Sequence, residues 1–288
     1  MIPNVDNDSL VYLNGELVRL GDAKISVLDR GFIFGDGIYE VVPVYHGKPF
    51  RLHEHLARLQ RSLHKVRIET GQSDADWERL LRDMLRRSGL PDCTIYLQVT
   101  RGVAKREHGF PSEPCDPTVF CMTSFFTRPD AHHREQGYSV ISMPDLRWHH
   151  CDIKSVSLLG NVLAKQYATD AGVDDVIQFR DGRLSEGSSN NIWVVKNGVL
   201  CAPLRDEFIL EGIRYAFIQE LAGHAGIPFE SRIILQREVE DADELMLSSA
   251  TKEILPITQY NGRRVGSGKP GPIYAQLRAG YDAAIAAL

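Results

Sequence analysis

Three short segments collect residue types that can do chemistry. Lys154 lies in Cys151-Asp152-Ile153-Lys154-Ser155, just ahead of Leu158-Leu159-Gly160-Asn161-Val162-Leu163-Ala164-Lys165-Gln166. A lysine amine adds to carbonyl groups and holds an aldehyde as a Schiff base. Glu186 opens Glu186-Gly187-Ser188-Ser189-Asn190-Asn191, a carboxylate followed by small residues that offer backbone N–H groups and hydroxyls. Such a carboxylate can keep a heteroaromatic ring nitrogen protonated and its ring electron-poor. Arg106 and His108 stand in a basic loop, Thr100-Arg101-Gly102-Val103-Ala104-Lys105-Arg106-Glu107-His108-Gly109-Phe110-Pro111. A guanidinium fork beside an imidazole suits a carboxylate. Taken singly, each has a plainer reading. A lone lysine is mostly solvated, a Glu before Gly usually marks a turn, and Lys105 and Glu107 read as surface charges.

In combination the lysine and glutamate segments resemble the signature of fold-type IV pyridoxal-phosphate enzymes, and in detail that of the D-amino-acid aminotransferases. The resemblance runs from about residue 10 to about residue 265 and rests on five motifs in the right order. It implies that Lys154 forms the internal aldimine with pyridoxal 5'-phosphate and, once freed by substrate, shuttles the proton between Cα and C4′. It implies that Glu186 faces the pyridine nitrogen and that Ser189 belongs to the cofactor contacts. It assigns Arg58, in Glu54-His55-Leu56-Ala57-Arg58-Leu59, to the phosphate. Gly212 and Ile213 precede a helix whose first N–H groups suit phosphate oxygens, and Thr251 matches a second hydroxyl contact. The family pattern G-I-T-R reads Gly212-Ile213-Arg214-Tyr215 here, so Arg214 replaces a hydroxyl and brings charge either to the phosphate or to solvent. Arg106 and His108 resemble the family's R-x-H carboxylate trap, completed by Tyr39 in Phe34-Gly35-Asp36-Gly37-Ile38-Tyr39-Glu40. By the same analogy the trap reaches in from a neighbouring subunit, which implies a homodimer. Arg147 orders the cofactor's surroundings in this pattern, and Leu210 and Val42 line the pocket.

The implied reaction is ping-pong transamination between a D-amino acid, D-alanine or D-glutamate, and a 2-oxo acid such as 2-oxoglutarate. Three rivals remain. A branched-chain L-amino-acid aminotransferase typically carries a tyrosine in a G-G-N-Y run where this chain has Leu159, and the Arg106/His108 pair counts against it as well. A 4-amino-4-deoxychorismate lyase would release pyruvate without an amine acceptor. A non-catalytic binder would hold the aldehyde and never convert it to the amine.

The elements that must position these residues are legible in the periodicity. Leu10–Leu13 and Glu16–Val18 flank Asn14-Gly15, a hairpin signal. Tyr39–Tyr45, Thr94–Thr100 and Thr118–Ser124 read as strands. Leu52, Leu56, Leu59, Leu63 and Val66 predict an amphipathic helix over 53–66, and Trp77, Leu80, Leu81, Met84 and Leu85 a second. The stretch from Phe126 to Gly137 is polar and aperiodic. Beyond it, strands are expected at 138–143, 174–180, 191–195 and 244–248, with helices at 158–171 and 212–225. The expected fold class is α/β: a small α+β N-terminal domain (1–127), a linker (128–137) and a larger α/β C-terminal domain (138–288).

The bulk composition agrees. The 288 residues are 43% hydrophobic and 25% charged, with a net charge of −5. Those are the proportions of a globular protein with a substantial core. No basic block points to nucleic acid, and no apolar run is long enough for a membrane span. The start, Met1-Ile2-Pro3-Asn4-Val5-Asp6, lacks the basic and apolar stretches of a secretory leader. Five scattered cysteines with no CxxC pair fit reduced thiols in the cytoplasm. His53-x-His55, His132-His133 and His149-His150 lack the companions of a metal site, so no metal is expected. Gly35-Asp36-Gly37 lacks dinucleotide-loop spacing, and Gly187-Ser188-Ser189 lacks the frame of a nucleophile elbow.

Overall fold

The computed structural model describes residues 5–288. Met1–Asn4, part of the segment read as lacking a leader's composition, lie outside the described residues. The chain forms two compact units: one holds the residues through Thr127 together with Ile153–Leu158, and the other holds Arg128–Asp152 and Leu159–Leu288.

The first unit opens with strands β1 (Leu10–Leu13) and β2 (Glu16–Arg19), paired antiparallel with Leu13 opposite Glu16. Asn14 and Gly15 both take positive φ, as the tight turn requires. Helix α1 (Arg30–Phe34) precedes β3 (Gly37–Tyr45), a short β4 (Lys48–Pro49), helices α2 (Leu52–Val66) and α3 (Asp74–Ser88), and strands β5 (Cys93–Thr100) and β6 (Thr118–Phe125). The six strands form one antiparallel sheet in the order β2-β1-β6-β5-β3-β4. Leu52, Leu56, Leu59 and Leu63 of α2 pack with Trp77, Leu81 and Met84 of α3 against Ile38, Val42, Val44, Ile95 and Leu97 of the sheet. A reciprocal Ser73–Asp76 capping box starts α3, and Gly89 ends it in the left-handed conformation. Val42, expected to line a pocket, is instead enclosed in this core.

In the second unit, helix α4 (Ala131–Gln136) occupies part of the stretch that reads as aperiodic, capped by the side chain of Asp130. Then come β7 (Tyr138–Pro144), α5 (Leu159–Asp170), β8 (Asp175–Arg180), β9 (Arg183–Gly187), β10 (Asn191–Lys196), β11 (Val199–Ala202), α6 (Ile213–His224), β12 (Phe229–Ser231), α7 (Gln236–Glu240), β13 (Glu244–Ser249), β14 (Glu253–Tyr260), β15 (Arg263–Arg264) and α8 (Pro272–Ala286). The sheet runs β12-β11-β10-β13-β14-β7-β8-β9, with β15 on β14. Its pairs are parallel at β11/β12, β14/β7 and β7/β8 and antiparallel elsewhere. The core residues Ile192, Val194, Leu245, Leu247, Leu255 and Ile257 follow the two-residue strand period. No helix among the described residues is long and apolar enough to cross a membrane.

Candidate active site

In the first unit, Ile153–Leu158 lies along β3. The Tyr39 N–H donates to the Lys154 carbonyl (2.9 Å), the Val156 N–H donates to the Gly37 carbonyl (3.0 Å), and Ile38 bridges Ser155. Ile153 packs on the hydrophobic core, and the Lys154 N–H reaches the Ser62 hydroxyl at 3.4 Å. Anchored this way, the half-buried Lys154 carries its Nζ to 4.1 Å from the centre of the Tyr39 ring. The phenol face attracts the ammonium, so the amine and the hydroxylated ring are held as a pair. Strand alternation sends Glu40, the next residue, toward α2. There its carboxylate accepts from Arg58 Nε (2.7 Å) and Nη2 (2.8 Å) and pairs with His55 Nδ1 (2.8 Å). All three are buried. Burial works against the Glu40 charge, but the Arg58 charge and hydrogen bonds, with those of His55, hold its carboxyl well below the ordinary range. Arg58 is therefore no surface arginine.

Arg106 and His108 sit in the loop between β5 and β6 with exposed side chains. Both flank Phe34, with the His108 ring 5.5 Å and the Arg106 guanidinium 5.6 Å from its ring centre. Phe34 ends α1, which Asp29 caps by accepting from the Gly31 N–H at 2.8 Å.

In the second unit, Glu186 is the penultimate residue of β9 and a buried carboxylate. Its Oε1 accepts from Arg147 Nη1, and its Oε2 accepts from the Leu210 N–H (3.0 Å) and Asn191 Nδ2 (3.4 Å). Arg147 is gripped in turn by Asp145, through Nε (2.9 Å) and Nη2 (2.8 Å). Burial pushes the Glu186 carboxyl up, while Arg147 and the Leu210 N–H pull it back. Leu210 thus meets this group through its backbone. After Glu186 the chain turns tightly, the Gly187 N–H donating to the Asn190 carbonyl at 2.7 Å. Buried Asp175 accepts from the Ser188 N–H (3.2 Å), Asn190 Nδ2 (2.8 Å) and Lys252 Nζ (2.5 Å). Ser189 is exposed at the tip of this turn, and Thr251 is exposed beside Lys252.

Gly212 is the N-cap of α6 and brings no side-chain cap to the helix start. A Cβ there would lie 2.2 Å from Asn191 Oδ1, so any other residue would have to displace the Asn191 amide, whose Nδ2 donates to the Leu210 carbonyl at 2.9 Å. Ile213 and Arg214 are the first helical residues. The Arg214 side chain, 1% exposed, points into the unit rather than into solvent. Its Nε donates to the Tyr281 hydroxyl (2.7 Å) and its Nη2 to the Ala250 carbonyl (3.3 Å), the residue before Thr251.

Each sequence-identified residue therefore falls in one of two groups. The first unit holds Lys154 with Tyr39, Arg58 on Glu40, and Arg106 with His108. The second holds Glu186 on Arg147, the Ser189 turn, the α6 start at Ile213 and Arg214, and Thr251. Unit by unit, these groups are of the kinds that pyridoxal 5'-phosphate needs: in the first a lysine amine, and in the second a buried carboxylate for a ring nitrogen and a helix start and an exposed hydroxyl for a phosphate. Sequence reasoning missed Asp145, Asp175, Arg30 and Asp36. Asp145 was within reach, because an acid two residues before an arginine can fork onto it. Asp175 carries no local signal, since its partner Lys252 lies 77 positions away.

Comparison with known proteins adds relatives along most of the chain. The chain is 39% identical over 272 residues to a D-alanine aminotransferase of Staphylococcus aureus (strain COL), covering 94% of this chain and 96% of that protein. It is 35% identical over 275 residues to the D-alanine aminotransferase of Bacillus licheniformis, covering 96% of each. Among solved structures it is similar to the branched-chain amino acid aminotransferase of Escherichia coli, with a TM-score of 0.91, 26% identity and coverage of 96% of this chain and 94% of that one. A fold IV-transaminase from Curtobacterium pusillum matches with a TM-score of 0.81 at 26% identity, over 95% of this chain and 93% of that one. With residues 37–260 matching the profile of Amino-transferase class IV as well, the chain belongs to that aminotransferase family.

Proposed function

We propose that this protein transfers the amino group of a D-amino acid, D-alanine or D-glutamate, to a 2-oxo acid such as 2-oxoglutarate, using pyridoxal 5'-phosphate. The observation that carries the reading is the pairing of Lys154 Nζ with the Tyr39 ring at 4.1 Å, together with a loop of the same unit that presents Arg106 and His108 on Phe34. When bound, the cofactor supplies an electron-withdrawing ring that stabilises negative charge at the substrate Cα. Lys154 Nζ takes the proton from the substrate Cα and, with the cofactor bound, would deliver it to C4′ rather than back to Cα, which is what separates amino transfer from racemisation. Glu186, steadied by Arg147, holds a proton on the ring nitrogen. Arg58, the N–H groups of Ile213 and Arg214, Ser189 and Thr251 hold the cofactor. Arg106, His108 and Tyr39 bind the substrate carboxylate and so select which Cα hydrogen is removed.

The D-alanine aminotransferases are more similar in sequence than the branched-chain enzyme, which favours the D-reading over the L-reading. The test is to incubate the enzyme with D-alanine and 2-oxoglutarate and assay both pyruvate and D-glutamate. Equal formation of the two, requiring both substrates, with no glutamate formed when L-leucine replaces D-alanine, supports the proposal. Pyruvate released from 4-amino-4-deoxychorismate with no acceptor present would replace it with the lyase.

A homodimer completes the proposal. On α5, Leu159, Val162, Leu163 and Tyr167 recur at helical spacing, yet each is about half exposed or more. In the first unit Ile25, Val27, Leu28 and Phe32 are exposed as well. Apolar surface of this extent marks an interface, and a second copy of the chain is the partner that would also supply its Arg106 and His108 in trans. Light scattering on the purified protein should give twice the chain mass. The five unpaired cysteines fit a cytoplasmic setting.

A further inference from the structure

Asp36 lies in Phe34-Gly35-Asp36-Gly37-Ile38-Tyr39-Glu40, beside Tyr39, yet the reaction described above gives it no task. Its carboxylate lies between two buried arginines. Oδ2 accepts from Arg30 Nε and from Arg101 Nε, both at 2.8 Å, and Oδ1 accepts from Arg101 Nη2 at 3.0 Å. Two guanidinium groups so close repel each other, and a shared carboxylate offsets that repulsion. Burial opposes the Asp36 charge, but the hydrogen bonds and charges of Arg101 and Arg30 hold its carboxyl below the usual range.

What the two arginines do with their remaining donors gives the arrangement its purpose. Arg30 Nη1 donates to the Glu107 carbonyl (2.7 Å) and Nη2 to the His108 carbonyl (3.4 Å). Arg101 stacks 3.8 Å from the centre of the Phe110 ring, while its Nη1 and Nη2 reach the Arg67 and Val66 carbonyls at the end of α2 (2.8 and 2.6 Å). The loop is thus gripped at residues 107, 108 and 110, around Arg106. Residues 105–110 are all exposed, so no hydrophobic core fixes them. A segment of that kind opens at low cost unless polar contacts restrain it.

We propose that Asp36 and Arg30 are positioning residues for substrate carboxylate recognition: Asp36 orients Arg30, and Arg30 fixes the backbone that presents Arg106 and His108. The proposal rests on the reading of Arg106 and His108 as the carboxylate trap. A loop ordered before binding loses less conformational freedom when the carboxylate arrives. Weakening the restraint should therefore weaken substrate binding and leave the chemistry at Lys154 in place.

The test is a double-mutant cycle on the cofactor-loaded enzyme with Asp36→Asn, Arg106→Ala and both together. The readouts are the D-alanine concentration that half-saturates conversion of the cofactor absorbance, the limiting rate, and hydrogen exchange across residues 103–110. The expected result for Asp36→Asn is a roughly tenfold higher half-saturating concentration, a limiting rate near the parent's, and faster exchange in the loop. In the Arg106→Ala background the same change should add little, because both act through one contact. A merely structural effect would lower the limiting rate and multiply fully with Arg106→Ala, which would overturn the proposal. An unchanged half-saturation for Asp36→Asn alongside a raised one for Arg106→Ala would also overturn it. If Arg106→Ala itself changes nothing, the trap reading fails, and this proposal fails with it. Should Asp36→Asn not fold, Arg30→Lys is put through the same cycle: it keeps a charge beside Asp36 but cannot fork onto two carbonyls, and the same results decide.

Discussion

Arg147 Nη1 donates to Glu186 Oε1 inside the second unit, and both side chains are buried. The pair does not stand alone, because Asp145 holds the other edge of the guanidinium through two hydrogen bonds. The charges therefore run acid, base, acid from Asp145 to Glu186. Burial pushes the Glu186 carboxyl up, and the charge and hydrogen bond of Arg147 are the strongest influence against that rise.

Replacing Arg147 with Met should therefore damage both folding and chemistry. Buried Glu186 loses its cation and buried Asp145 keeps only Arg180, at 3.3 Å, which costs about 3–5 kcal/mol of stability. Turnover should fall on the order of a hundredfold, as for loss of a preorganised electrostatic group. Urea unfolding and steady-state rates on the same preparation check both. Parent-like values in either would detach Arg147 from the role given to it.

Lys154→Ala should end covalent attachment of the cofactor. Borohydride reduction of the loaded parent should fix the phosphopyridoxyl mass to the peptide carrying Lys154, and the variant should show none. Transamination should drop by at least on the order of a thousandfold. A labelled peptide elsewhere in the chain would show that another lysine is the nucleophile.

Arg106→Ala should weaken carboxylate-bearing substrates by about 2–4 kcal/mol, the cost of leaving a charged partner unpaired. Cofactor loading should be unaffected. Parent-like kinetics with D-alanine would remove the loop from the substrate site.

Acid should destabilise the protein over a defined range. Burial raises the Asp145 carboxyl, but the hydrogen bonds and charge of Arg147 outweigh it and bring its pKa to about 2. Glu40 is held lower by Arg58 and His55. A carboxyl with a lower pKa in the folded state stabilises the fold above its unfolded value of about 4. That contribution is lost as pH falls through 4 toward the folded value. Urea midpoints measured from pH 7 down to pH 2 should fall most steeply below about pH 4. Asp145→Asn should flatten that slope by about 2 kcal/mol across the range. A slope identical to the parent's would mean that Asp145 is not held as described.

What was legible in the sequence was what local order encodes. The Asn14-Gly15 turn, the leucine period of α2 and the segments around Lys154 and Glu186 each carry their signal within a few residues. The restraints around them do not. Asp36 and Arg101 are 65 positions apart, and Asp175 and Lys252 are 77 apart; pattern reading links neither pair. β14 went unassigned because Pro256 interrupts a run that would otherwise read as a strand. The strand keeps its place by pairing with β13, Met246 opposite Pro256, and shifts register on β7 near Ile257. α4 hides in a polar stretch too short to show a period. For Arg214 the sequence left solvent and phosphate open. The side chain turns inward because Tyr281 on α8 and the Ala250 carbonyl supply its hydrogen bonds, and neither partner is near it in sequence.

The central claim is a transaminase that acts on D-amino acids, and the half-reaction tests it most directly. Purified, cofactor-loaded enzyme is mixed separately with D-alanine, D-glutamate, L-alanine and L-leucine, with no acceptor present, and its absorbance is followed. Conversion of the cofactor from the aldehyde to the amine form by the D-amino acids alone is the predicted result. Conversion by L-leucine, or by none of the four, would contradict it.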